Sequence, residues 1–206
     1  MQATAKPTHR IMKLIAACFM ISTLLLSAHP DHGTSPGAEL KQAMPTGNGA
    51  WTYETVPGWG TLPDGRPIGP THGGVLTGPD NRVYLSTDNE MSIIVWEEKG
   101  TFVKTIAPDC QGFHAMQARE ENGQTVIYGA QNNKLGNEAR KQNGLPSTPF
   151  RVCKIDLDGK LLLEIPNAST AQVPGGWNGL TAVTVAPDGS IFAATGYGAQ
   201  KIHKFD

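Results

Sequence analysis

Two histidines and a tyrosine are the side chains of this chain best suited to chemistry. His72 leads the segment His72-Gly73-Gly74-Val75-Leu76-Thr77, and His114 leads Phe113-His114-Ala115-Met116. Each stands before a short apolar run of β type. A neutral imidazole is a good ligand for zinc, and a catalytic zinc site wants three protein ligands and an open position. Tyr197, between Gly196 and Gly198, offers a phenol that can act as a base where a metal field stabilises its anion. Plainer roles exist for all three: imidazoles bonded to backbone with no metal, and a tyrosine plugging a loop against its neighbour. His29, Asp31 and His32 also carry ligand atoms, but in a Pro- and Gly-rich stretch without fixed geometry. His203 alternates with apolar residues and is expected to face solvent, without a role.

The elements that must position these groups repeat along the chain. Residues 180–186, 191–195 and 201–206 read as three short strands, the first two joined by a Pro187-Asp188-Gly189-Ser190 turn with glycine where a positive φ is easiest. Both faces of these strands are apolar or small, so a sheet covered on both sides is expected. Upstream, the lead-in at His72 runs to Pro79-Asp80-Asn81, strand 83–85, strand 93–97, a Lys99-Gly100 hairpin and strand 102–106. The lead-in at His114 runs to Glu121-Asn122-Gly123, strand 126–128, strand 152–157, an Asp158-Gly159 hairpin and strand 161–165. A spacing of roughly 40–45 residues, broken by one insertion, lies in the range of propeller blades. The expected fold is therefore all-β: a partial β-propeller of antiparallel four-stranded blades.

Blade topology then sorts the candidates. Strands run up and down alternately, so the start of strand one and the loop between strands two and three lie at one end. His72, His114, Tyr197 and the polar 131–148 insertion, which has at most a weak helical pattern, are expected at that end, with both imidazoles facing an axial channel. The mouth of such a channel is a usual ligand site.

Residues 1–28 read as an export signal: Lys6, Arg10 and Lys13, an apolar run over 14–26, then Ser27 and Ala28. That run is short for a membrane span of ~20 residues. Cys18 follows a lipoprotein-like Ile15-Ala16-Ala17, but the residues after it stay apolar. Residues 29–50 read as a disordered linker, 51–56 as an edge strand lending itself to a blade, and 57–70 as a loop. The expected location is secreted or periplasmic, with no stable membrane span after signal removal. A net charge of −1, from 17 Lys and Arg against 18 Asp and Glu, forms no basic stripe and excludes a nucleic-acid footprint. Cys110 and Cys153 can pair in an oxidising compartment, but sequence does not fix their separation.

The residues before the second strands (Pro187-Asp188-Gly189, Pro79-Asp80-Asn81, Glu121-Asn122-Gly123) and before the fourth (Asp158-Gly159, Lys99-Gly100) resemble the NHL-repeat family of six-bladed propellers over residues 51–206. The resemblance implies about three blades, half of such a ring. Within that group the chain is similar to the lyase domain of peptidyl-α-hydroxyglycine α-amidating lyase. There a Pro-His-Gly-type lead-in supplies a zinc-binding histidine, and a Gly-Tyr loop in the next blade a catalytic tyrosine. The resemblance implies His72 and His114 as metal ligands and Tyr197 as catalytic. The loop here, Thr195-Gly196-Tyr197-Gly198-Ala199-Gln200-Lys201, lacks the Asp and Arg of the family's Asp-Gly-Tyr-Gly-Asn-Ser-Arg, and the family's other zinc histidines lie in later blades. The expectation is a binding scaffold with a His-lined mouth holding zinc or calcium and an unknown peptide or small-molecule ligand. The alternatives are a zinc-dependent lyase releasing amide and glyoxylate, and a metal-free interaction propeller.

Overall fold

The computed structural model describes residues 41–144, 146–166, 177 and 179–206. Residues 1–28, read above as an export signal, and the expected linker up to residue 40 lie outside the described residues. Glu39–Asp206 forms one compact unit.

The first element corrects the linker. β1 (Pro45–Asn48) pairs antiparallel with β2 (Trp51–Glu54), in the register Pro45↔Glu54 to Asn48↔Trp51. Gly49, at a φ of 59°, begins the two-residue turn that folds them together. Trp51–Glu54 thus joins its own exposed hairpin and not a blade-like sheet. The β character expected of this stretch is present, with β1 as its partner.

The rest is mostly β, in three further antiparallel sheets with strand orders matching the repeat. The first contains β3 (Val75–Thr77), β4 (Val83–Ser86), β5 (Ile93–Trp96) and β6 (Phe102–Ile106). The second contains β7 (Phe113–Glu121), β8 (Gln124–Gln131), β9 (Arg151–Asp156) and β10 (Leu161–Ile165). The third contains β11 (Ala182–Val185), β12 (Ile191–Ala194) and β13 (Ile202–Phe205). The turns follow from their residues. Asn122 and Gly123, at φ of 51° and 76°, form the two-residue connection between β7 and β8, where both central residues need positive φ. Asp80 and Asp188 accept from the amides two residues on, Arg82 N at 3.2 Å and Ser190 N at 2.9 Å, which closes Asx turns.

Side-chain alternation makes these sheets stack. Ile127, Cys153 and Ile155 of the second sheet pack with Tyr84, Ile93 and Val95 of the first. Their neighbours Val126, Tyr128, Ala130 and Val152 point the other way, onto Val183, Val185, Ala193 and Trp177. The middle sheet is therefore apolar on both faces because it is buried on both. The outer face of the first sheet carries Ile94 and Trp96, covered by Leu62 and Ile68 of the 57–70 loop, with Trp59 against Trp96 at 5.8 Å. β7 also ties to the third sheet through polar bonds: Val185 N donates to Gln117 Oε1 (2.8 Å), and Arg119 Nη2 donates to Pro187 O (3.1 Å).

The third sheet, whose residues are apolar or small on both faces, meets a neighbour on one. One face, with Val183, Ala193, His203 and Phe205, lies against the second sheet. The other, with Ala182, Ala194 and Ile202, is open, and Ile202 is 76% exposed. The sheet is thus covered on one side among the described residues. The 131–148 insertion holds α1 (Lys134–Gln142), more helix than its pattern implied. Asn133 caps it by accepting from Gly136 N at 3.0 Å, and Arg140 and Lys141 face the negative end of the helix dipole.

Candidate functional site

Backbone approach brings the imidazoles together. Thr71 Oγ1 donates to Ser86 O (2.6 Å), and Ser86 N donates to Gly74 O (2.8 Å), which clamps the lead-in of β3 to the end of β4. Phe113 N donates to Ser86 Oγ (2.7 Å), so the start of β7 is held at the same point. A Cβ on Gly74 would lie 2.5 Å from Phe113 O; glycine is what permits this crossing. β7 is irregular between Phe113 and Ala115, whose partners are the consecutive Gln131 and Ala130. His114 is the extra residue of this bulge, a device that re-aims a side chain.

His72 and His114 consequently stack, ring centroids 5.5 Å apart and planes 23° from parallel. Tyr197 meets His114 edge-on at 5.3 Å, its hydroxyl 3.2 Å from Nε2. Its loop rests on Gly179, where a Cβ would fall 2.5 Å from Gly198 N. The three residues singled out by type and spacing thus meet at one place, though they come from three different sheets or their lead-ins. α1 lies at the same end: a Cβ on Gly136 would sit 2.1 Å from Asp88 O.

Asp88 is the member that the sequence reading missed. It is 2% exposed, and its Oδ2 lies 2.8 Å from His72 Nδ1. The contact is close but not an aligned hydrogen bond, so both carboxylate oxygens lack a hydrogen-bond donor among the described residues. Such burial is costly without a charged partner. Its position carried the signal: Thr87-Asp88 follows the second strand of its sheet as Thr195-Gly196-Tyr197 follows that of the third.

The two imidazoles are driven apart in basicity. The Asp88 carboxylate raises His72 above the usual 6.5, against the opposing effect of burial. Burial, then the neighbouring His72 charge, lowers His114 below the same value. His72 therefore contributes stability that is present below about 6.5 and lost as pH rises through its raised value. His114 contributes stability present above about 6.5 and lost as pH falls. Replacing Asp88 with Asn is expected to drop His72 below 6.5, because burial then acts alone; a proton NMR titration of the ring reads this directly.

His203 is not solvent-facing. It is half-buried with its ring edge-on to Trp177 at 5.4 Å, on the inner face that it shares with Phe205. Cys110 and Cys153 are buried free thiols. Among the described residues, no group of three or more His, Cys, Asp or Glu side chains is arranged to hold a metal ion, and no helix is long and apolar enough to cross a membrane.

The donor set has mixed implications for a divalent metal. Two imidazoles suit zinc, and a carboxylate on the far nitrogen of a ligating histidine is the common outer-shell arrangement. Asp88 stands there for His72. The set supplies two nitrogens, fewer than a structural zinc site uses. No protein-family model and no curated protein matches this chain.

Proposed function

We propose that this chain is a propeller-type binding scaffold, exported to the periplasm or beyond, whose imidazole-lined mouth holds a divalent metal and presents it to a peptide or small-molecule ligand. The propeller reading is supported by the adjacency of the first strands: β3 lies beside β7, and β7 beside β11, as inner strands do around an axis. Export rests on the character of residues 1–28. The observation that carries the site is the His72–His114 stack backed by a buried carboxylate. Zinc is preferred over calcium because the donors are nitrogens. Asp88, 2.8 Å from His72 Nδ1, leaves that ring's Nε2 as the donor atom, while the lowered basicity of His114 keeps its ring free of a proton near neutrality. The open positions remaining on the metal would be filled by water or ligand.

Zinc at a hundred times its dissociation constant is expected to stabilise the protein by about 2.7 kcal/mol, measured as a rise in unfolding midpoint. The rise should vanish in His72→Ala and His114→Ala. An unchanged midpoint in wild-type protein, with no zinc retained on metal analysis, removes the metal from the reading.

One observation favours a second reading, an amidating-type lyase: the Tyr197 hydroxyl lies 3.2 Å from His114 Nε2, on a residue 61% exposed. Release of glyoxylate from a peptidyl-α-hydroxyglycine, lost in Tyr197→Phe, is the result this reading expects. Failure of wild-type protein loaded with zinc to release it sinks the lyase and leaves the scaffold standing.

A further inference from the structure

The second sheet holds a pair of thiols that the imidazole site does not use. Cys110 lies in the turn between β6 and β7, where its amide donates to Ala107 O at 2.8 Å. Cys153 lies within β9. Both are buried and pack into one cluster with Tyr84, Ile93 and Phe113. Arg151, two residues before Cys153, brings Nη2 to 3.9 Å from Cys110 Sγ and donates to Asp109 O at 3.0 Å. Gln131 is fixed in orientation because its Nε2 donates to Asp109 O (3.1 Å) and Gln111 O (3.0 Å). Its Oε1 therefore faces Arg151 Nε (2.8 Å) and Cys153 Sγ (3.7 Å).

This surrounding makes the two sulfurs unequal. Cys110 has the Arg151 guanidinium beside it, which favours its anion. Cys153 donates to the Gln131 amide oxygen, an acceptor, so it keeps its proton. The basicities agree: the neighbouring Cys153 thiol, aided by the Arg151 charge, lowers Cys110 against the effect of burial, while the neighbouring Cys110 and burial raise Cys153. Both residues are closed from solvent, at 1% and 0% exposure, and they differ in what lies next to them. Cys110 lines a cleft of about 460 Å³ together with Asp109, Arg140, Thr148, Arg151 and Leu161, and Cys153 does not.

We propose that Cys110 and Cys153 are a peroxide-reactive dithiol, with Cys110 as the attacking sulfur and Cys153 as the resolving one. The Cys110 thiolate attacks one oxygen of a hydroperoxide that enters the cleft. The O–O bond breaks, and hydroxide leaves to become water with the proton that Cys110 had shed. Cys110 is now a sulfenic acid. The Cys153 sulfur, in the same buried cluster, attacks Cys110 Sγ; the S–O bond breaks, the S–S bond forms, and the oxygen leaves as water with the Cys153 proton. Two thiols lose two electrons in total, and one hydrogen peroxide is reduced to two waters. A low-pKa thiol beside a resolving cysteine is the arrangement that such sensors use.

Hydrogen peroxide added to the reduced full-length protein, followed by alkylation and tryptic mapping, tests this. The expected product links the peptide ending at Arg119 to the one ending at Lys154, with a mass lower by two hydrogens. Cys153→Ser should stop at a sulfenic acid on Cys110 that dimedone traps, and Cys110→Ser should take up no dimedone. If both cysteines of the folded wild-type protein still alkylate after peroxide, the proposal fails. Dimedone on Cys153, or oxidation of Cys110 past the sulfenic acid without the cross-link, overturns it equally. The wild-type map decides the matter even where a variant does not fold.

Discussion

Phe113→Ala is expected to destabilise the protein by about 3–5 kcal/mol, the usual cost of emptying a buried aromatic site. Phe113 is fully buried at the seam between the first and second sheets, and its ring lies so close over Gly129 that a Cβ there would come within 2.2 Å. Its main chain also holds the junction, through the bond to Ser86 Oγ and the close pass of Gly74. Domain stabilities run to about 5–15 kcal/mol in all, so the variant should sit near its unfolding threshold at room temperature. Urea unfolding measures the loss. A loss below about 1 kcal/mol would mean that the two sheets do not meet as described, since such a value suits an exposed side chain.

The second large effect is on metal affinity. Asp88→Asn is expected to weaken zinc binding by roughly 10–100-fold, the range found when a carboxylate behind a ligating histidine is lost. Removing the charge lowers the basicity of His72 and frees its ring to turn. Fold stability is expected to respond in the opposite direction or hardly at all, because Asn relieves a buried carboxylate whose oxygens have no aligned donor. Isothermal titration with zinc, beside urea unfolding of the same variant, separates the two responses. A variant that binds zinc as wild type does would show that Asp88 has no part in holding His72 for a metal.

Much of this was legible in the residues because the turns punctuate the chain without ambiguity. Asn122-Gly123, Asp188-Gly189 and Lys99-Gly100 each take the backbone that their types favour, and the strands between them fall where the apolar runs lie. Once the strands are placed, alternating direction fixes which loops share an end, so the meeting of His72, His114 and Tyr197 followed from order alone. What depth decides was not legible. Asp88 reads as an ordinary loop aspartate, and only burial makes it a partner for His72. His203 was put on the wrong face because Ile202 and Phe205 are both apolar yet point to opposite sides of the sheet; Phe205 carries His203 inward with it. α1 escaped because its caps are asparagines rather than an apolar stripe, and β1 because a Pro- and Gly-rich stretch reads as linker until a neighbouring strand pairs with it.

Zinc titrated into the labelled protein, with every histidine ring followed by NMR, tests the central claim most directly. The signals of His72 and His114 should move together and saturate at one stoichiometry, while His203, sequestered against Trp177, stays where it was. Shifts confined to His29 and His32, or a His72 and His114 that ignore the metal throughout, would contradict the account.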